Sequence, residues 1–464
     1  MGNKSARKKN SNNFRKFWKL GRKELNTQYF DISKDGDLLI NEGNYQYNVR
    51  EIAEKFGTPL KIMMPYVIEQ RVEDLIDTFD DAIREYKYKG QFYYHYPMKV
   101  NQNREFVLPI ISEGGNLEIT SANELWVVKR LWQQHRFNSH IKVVCNGPKT
   151  EPYLALIAEL KSNGLDIVPI IEDLSELELL RKFRGQIGLR VDLGVKVDSY
   201  WDKKFERHGI SIDELFSAEK IRNLTMLHYH TGSEIRKEQD VIRPLQKAME
   251  IFSVLKKTNP SLDTIDIGGG FPGNFHKKKL FPMKSIVYRI VRFLEKYCTE
   301  NELQPPNIIC EWGSHVAAPA QITVFSIVSE KLIPKASAKK WYIIDGSFQT
   351  HMLDTWAIHK QWHLVPVNNA RNKKLTRTWL AGLSCDSDDK YTAGGNYILL
   401  PRLEDLENGT PQYIAFLNTG NYQDSFTNHH CLNAAPAKVI VQNGDVTLIR
   451  KRETPDDVGK LFGW

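Results

Sequence analysis

The sequence predicts an α/β protein built as a (β/α)8 TIM barrel followed by an all-β domain. Eight short apolar, β-branched or aromatic runs recur between Phe92 and Glu311, and each but the last is followed by a stretch long enough for a helix. Those runs are apolar throughout rather than alternating, as strands buried on both faces of a parallel sheet are. Beyond Ala318 the pattern changes to short strands separated by turns.

In chain order, residues 1–23 form a basic tail with nine Lys and Arg and no acid, expected to be a disordered arm. The nine charges exceed the net +8 of the whole chain, so the remainder is near neutral and a nucleic-acid-binding body is not indicated. Phe14, Phe17 and Trp18 among those bases give the tail a weak means of touching an anionic membrane surface. Met1-Gly2-Asn3 is like a myristoylation start, but Ala6 stands where Ser or Thr is wanted. Residues 24–59 carry strands at Tyr29 to Ile32 and Asp37 to Ile40 around a Lys34-Asp35-Gly36 turn, then a helix from Asn48 to Phe56. Those strands are expected to join the β domain.

Residues 60–318 form the barrel. Its strands are read at Phe92 to Tyr96, Leu117 to Thr120, Ile141 to Cys145, Asp166 to Ile171, Ile187 to Asp192, Thr225 to His230, Thr264 to Ile267 and Asn307 to Glu311. Residues 319–464 form the β domain, with strands at Gln321 to Val328, Lys340 to Asp345, Trp379 to Gly382, Tyr397 to Pro401, Gln412 to Phe416, Ala437 to Gln442 and Asp445 to Arg450. No apolar run approaches the ~20 residues that span a bilayer, and no apolar signal-peptide core is seen near the start. The five cysteines are odd in number and lack CxxC spacing, so neither a disulfide framework nor a metal site is indicated. A cytoplasmic protein with reduced thiols is expected.

Chemistry in such a barrel gathers at the C-terminal strand ends. The residues there are Lys99, Glu118 to Ser121, Cys145-Asn146, Arg190, Asp192, His230, Gly268 to Gly270 and Glu311. Lys99 closes an aromatic run beside Pro97; buried, it is expected to have a lowered pKa and to serve as an amine nucleophile toward a carbonyl cofactor, the alternative being a lysine that snorkels to water. The Gly268-Gly269-Gly270 loop after the seventh strand offers bare backbone N–H groups to a phosphate. His230 is placed to stack on an aromatic ring and Ser233 to donate to an anion, although alternation puts His228 on the same side as His230. Glu311 ends the eighth strand, where a carboxylate held against a pyridine nitrogen keeps it protonated; a structural ion pair is the alternative. In the β domain, Leu383-Ser384-Cys385-Asp386-Ser387-Asp388-Asp389 is an acidic loop with one thiol, suited to a basic substrate end and to proton donation, or simply a solvated turn.

Together these segments resemble the fold-type III pyridoxal-phosphate decarboxylases, the group of ornithine, diaminopimelate and biosynthetic arginine decarboxylases, from about Leu60 to Val441. The likeness is greatest to the arginine decarboxylases, through Tyr96-Pro97-Met98-Lys99-Val100-Asn101-Gln102, Val144-Cys145-Asn146-Gly147, Phe348-Gln349 with Asp354-Thr355-Trp356-Ala357-Ile358, Ser384-Cys385-Asp386-Ser387 and Gly420-Asn421-Tyr422-Gln423. The resemblance implies pyridoxal 5'-phosphate as cofactor and Lys99 as its Schiff-base lysine. His230 would stack on the ring and Glu311 pair with the pyridine nitrogen, while Ser233, Gly269, Gly270 and Tyr422 hold the phosphate. Cys385 would return a proton after CO2 leaves, and Asp386 with Asp354 would face the substrate's basic end. It further implies a homodimer in which the Cys385 loop comes from the partner subunit. One departure is Glu311-Trp312-Gly313-Ser314, where Ser314 replaces an expected arginine; Arg207 and His315 are candidates to compensate.

The activity so implied is decarboxylation of a small basic amino acid, first L-arginine to agmatine and CO2 in polyamine biosynthesis. Ornithine, lysine, diaminopimelate or a carboxylated polyamine are the other substrates of the class. A racemase would need a second base across the ring, and an inactive regulatory homologue would be expected to lose Lys99 or Cys385; both are present.

Overall fold

The computed structural model describes residues 17–21, 27–134, 141–199, 207–217, 220–273, 282–406 and 409–464. Most of the basic tail expected over 1–23 lies outside them. Residues 17–21 are not a free arm, however: Trp18 and Leu20 are buried, and the Trp18 indole N–H donates to the Ala370 carbonyl at 2.9 Å. Burying a large ring whose one polar atom is satisfied outweighs the local charge.

Strands β1 (Phe30–Ile32), β2 (Leu38–Glu42) and β3 (Tyr45–Asn48) form a three-stranded antiparallel sheet of their own and do not join the β domain as expected. Short turns let each strand pair with its neighbour in sequence at small loop-closure cost. Residues 60–63, placed within the barrel's range and not read as a strand, form β4 (Leu60–Met63) inside the β-domain sheet. All four of its residues are buried, as a central strand requires.

The barrel is closed by eight parallel strands: β5 (Phe92–Pro97), β6 (Asn116–Ile119), β7 (Lys142–Cys145), β8 (Asp166–Ile171), β9 (Ile187–Arg190), β10 (Leu224–His228), β11 (Thr264–Asp266) and β12 (Asn307–Cys310). The eight expected runs are all present. Pairing stops one or two residues before His230, Ile267 and Glu311, so those residues leave the ladder at the mouth. Val144, Val168, Ile170, Met226 and Ile309 fill the interior. Long helices such as Gln239–Thr258 and Met283–Glu300 pack outside, whereas among the described residues the segments after β8 and β9 hold only the short helices Glu176–Leu179 and Ile212–Ser217.

The second domain contains β13 (Gln321–Leu332), β14 (Lys340–Ile344), β15 (His363–Pro366), β16 (Leu375–Ala381), β17 (Lys390–Tyr391), β18 (Ile398–Pro401), β19 (Gln412–Leu417), β20 (Ala437–Gln442) and β21 (Asp445–Arg450). With β4 they make a ten-stranded sheet in which β4 sits between β13 and β20. Phe325, Phe348, Tyr391 and Phe416 build its separate core. Asp424 joins the two domains: its carboxylate receives Lys61 Nζ at 2.5 Å, Lys438 Nζ at 2.7 Å and Asn101 Nδ2 at 3.0 Å. Among the described residues, no helix is long and apolar enough to cross a membrane.

Candidate active site

After β5 the chain enters a single 3-10 turn, Met98–Val100, whose flanking Met98 and Val100 are buried while Lys99 turns toward the mouth with 43% of its side chain accessible. The turn is fixed from the β domain, because Tyr422 N–H donates to the Val100 carbonyl at 2.7 Å and Asn101 Nδ2 to the Gly420 carbonyl at 2.8 Å. Lys99 Nζ lies 3.1 Å from Glu118 Oε2. Its pKa is raised and not lowered as expected: burial disfavours the ammonium, but the Glu118 and Glu311 carboxylates outweigh that. Lys99 therefore rests as an ammonium paired with Glu118.

Beneath it lies a cluster of buried acids. Asn146 Nδ2 bridges Glu118 Oε1 at 2.8 Å and Glu311 Oε1 at 3.0 Å. Asp266 Oδ2 and Glu311 Oε1 lie 3.1 Å and 4.0 Å from His228 Nδ1, the shorter contact being too poorly aligned for a hydrogen bond. Burial, then Asp266 and Glu118, push Glu311 up to about 8, and burial pushes Asp266 up to about 7. Burial lowers His228 to about 4, so it is neutral. His228, Asp266 and Glu311 are also close enough together to ligate a cation, within 4.8 Å. With Glu311 raised by burial and by its neighbouring acids, the cluster can hold a proton among its carboxyl groups. Glu118, Asn146, Asp266 and His228 were not singled out by role from sequence; an acid inside the apolar runs Leu117 to Ile119 and Ile265 to Ile267 was the available signal.

The structure separates the two histidines that alternation could not. His228 is inside the barrel among the acids, whereas His230 is half-buried at the rim, its Nδ1 accepting the Gly269 N–H at 3.2 Å. The glycine loop has no room for side chains: a Cβ on Gly269 would lie 3.0 Å from the Glu311 carbonyl, and one on Gly270, at φ +103°, 2.5 Å from the Gly232 carbonyl. Ser233 is half-buried next to this loop, its N–H donating to Ser199 Oγ at 2.9 Å. Tyr422 takes a left-handed φ of 64° and its hydroxyl neighbours Ser314, which accepts from Asn421 Nδ2 at 3.2 Å. Of the candidates to replace the missing arginine, His315 is buried with its pKa lowered to about 3, so it brings no charge, and Arg207 is exposed.

Cys385 and Asp386 stand apart from this cluster. Both are exposed on the loop after β16, held by Asp389, which accepts the N–H groups of Phe348 at 2.6 Å and Ser384 at 3.1 Å. Cys385 Sγ lies 3.8 Å from Cys431 Sγ, and Asp386 Oδ2 lies 4.0 Å from His430 Nε2. Among the described residues, no hydrogen bond or ion pair links Cys385 or Asp386 to Lys99, Glu118, Asp266 or Glu311. Asp354, expected to face the substrate, is buried with Oδ2 3.1 Å from Lys360 Nζ. Its carboxylate thus already holds an ammonium of the same chain.

A closed parallel barrel that gathers a lysine, proton-holding acids and a side-chain-free loop at one mouth defines a protein that binds a small anionic carbonyl cofactor. The family model "Pyridoxal-dependent decarboxylase, pyridoxal binding domain" matches residues 71–318, more than half of the chain, and the chain belongs to that family. Among curated proteins it is similar to the biosynthetic arginine decarboxylase of Phocaeicola vulgatus, 24% identical over 388 residues, covering 76% of this chain and 59% of that protein. The corresponding protein of Shewanella frigidimarina is 26% identical over 339 residues, covering 65% of this chain and 53% of that one. The chain therefore spans little more than half the length of these relatives. Among solved structures, the biosynthetic arginine decarboxylase of Campylobacter jejuni superposes with a TM-score of 0.80 at 19% identity, over 97% of this chain and 90% of that one. A diaminopimelate decarboxylase from M. jannaschii gives 0.77 at 22%, over 93% and 96%. These likenesses establish the fold.

Proposed function

We propose that the protein is a pyridoxal-phosphate-dependent decarboxylase of a small basic amino acid, first L-arginine, giving agmatine and CO2 for polyamine synthesis. The observation that carries this is the mouth itself: an amine paired with a buried acid, a second buried acid opposite, and a loop whose backbone alone fits. The site suits the cofactor because the glycine loop presents backbone with no side chains at the mouth, and because Glu311 already favours a shared proton. The curated relatives named as arginine decarboxylases support the choice of substrate.

Bound there, pyridoxal phosphate would supply a carbonyl for amines and a ring that accepts the electron pair left when CO2 departs. Glu118 holds the Lys99 amine at the mouth through their 3.1 Å contact, with Asn146 fixing both acids in place. Glu311 would face the ring nitrogen of the bound cofactor and hold a proton between the two. Gly269, Gly270, Ser233 and Tyr422 would hold the phosphate, and His230 would cover the ring. Cys385 of the partner subunit would supply the proton that replaces CO2, and its Asp386 would receive the substrate's basic end, which would make the working unit a homodimer. The separation of that loop from Lys99 within one chain supports this arrangement. We place the enzyme in the cytoplasm, where Cys385 stays reduced.

The test is to load the protein with pyridoxal phosphate, reduce it with borohydride and map the modified peptide. A pyridoxyl group on Lys99, lost in Lys99→Ala together with turnover, is expected; labelling of another lysine such as Lys149 would overturn the site.

A further inference from the structure

The carboxylate of Asp354 does not open toward the site but is enclosed in a buried chain of polar contacts. Lys360 Nζ meets Asp354 Oδ2 at 3.1 Å and Asn421 Oδ1 at 3.3 Å, and rests 4.5 Å from the centre of the Trp362 ring. Only 10% and 7% of the Lys360 and Asp354 side chains are accessible, so this pair is not a surface contact free to exchange with solvent. The backbone on either side is tied in as well: Asp354 N–H donates to Gln423 Oε1 at 3.2 Å, and Lys360 N–H to the Asp354 carbonyl at 3.0 Å. From Asn421 the contacts continue through Nδ2 to Ser314 Oγ at 3.2 Å, the position next to Tyr422 at the anion-binding end. Tyr422 in turn fixes the Lys99 turn through the Val100 carbonyl at 2.7 Å. A substrate's cationic end arriving at Asp354 would have to displace a lysine that is already desolvated and satisfied, which gains no net ion pair.

We infer that Asp354, Lys360 and Asn421 form a buried strut that positions Ser314 and Tyr422 for the cofactor phosphate, so that Asp354 is a positioning residue and the substrate's basic end is received elsewhere, by Asp386. This rests on the cofactor reading above. The strut does what no charged side chain at position 314 does: it holds the barrel's Ser314 and the β domain's Tyr422 in one geometry through neutral groups backed by a compensated ion pair. Breaking either member of that pair leaves a buried charge and disturbs the cradle, whereas removing both charges together leaves none unpaired.

The experiment titrates the cofactor-free, full-length protein with pyridoxal phosphate, following absorbance and tyrosine and tryptophan fluorescence, for wild type, Asp354→Asn, Lys360→Met, the double variant and Asp386→Asn. Each single strut variant is expected to weaken cofactor binding by roughly tenfold or more, as a small misplacement of a binding group does. The double variant is expected to bind closer to wild type than either single variant, an outcome that separates charge pairing from loss of fold. At saturating cofactor, KM for arginine should change by less than about twofold in Asp354→Asn and rise by roughly tenfold or more in Asp386→Asn. Unchanged cofactor affinity with a raised KM in Asp354→Asn would overturn the inference and restore Asp354 as the substrate's acid. A wild-type chain that binds no pyridoxal phosphate would overturn the cofactor reading and the inference with it.

Discussion

Glu311 and Asp266 retain protons at pH values where free carboxyl groups have lost them. Their folded-state values of about 8 and about 7 lie above the 4.5 and 3.8 of free side chains, so the folded protein binds protons that the unfolded chain has released. Stability from such groups is complete below the unfolded values and is lost as pH rises through the folded ones. His228 has the opposite sign, being lowered to about 4 from 6.5, so comparison with Glu311→Gln isolates the acid. Without cofactor, wild type should lose stability relative to Glu311→Gln by up to about 1.4 kcal/mol per pH unit between pH 6 and 8. Denaturant titrations at several pH values measure it; a constant difference would mean that Glu311 is ionised throughout. At this scale Lys99, His230 and Glu311 were legible because each ends an apolar run at the barrel mouth. The direction of the Lys99 shift was not, since it depends on Glu118, a neighbour set by cross-strand register and not by spacing in the chain. Lys360 was hidden for the same reason: its partner Asn421 is 61 residues away.

The barrel strands were readable as elements because parallel strands covered on both faces are apolar along their whole length. Which sheet takes a short strand is not written in its composition, which is why residues 60–63 were placed in the barrel's range and the two early strands in the β domain. The junction between domains was equally invisible, although it fixes the lysine turn. Asp424 receives two buried lysines and the side chains of Asn101 and Asn103, the latter at 3.2 Å. Those lysines hold its carboxylate well below the usual range against the cost of burial. Asp424→Asn strands two desolvated ammonium groups and is expected to cost about 3–5 kcal/mol. The midpoint of urea unfolding measures this. A loss below about 1 kcal/mol would show that the lysines reach other partners, and that the junction does not hold the Lys99 turn in place.

The whole molecule places the groups of the proposed reaction in two separate regions. The lysine, the acids and the glycine loop share one mouth, while the thiol and acidic loop face outward from the β domain. A twofold dimer brings such regions together without any change in either, because each subunit offers the same two surfaces to the other. The family and barrel were recognisable from motifs at strand ends; the shared site was carried only by resemblance, since no pattern within one chain specifies what a second copy contributes. The most direct measurement is CO2 release by the purified protein loaded with pyridoxal phosphate and given L-arginine, L-ornithine, L-lysine or meso-diaminopimelate separately, with the amine product identified. Agmatine and CO2 from arginine, both absent in Lys99→Ala, is the predicted result. A cofactor-loaded protein that releases CO2 from none of the four would contradict it.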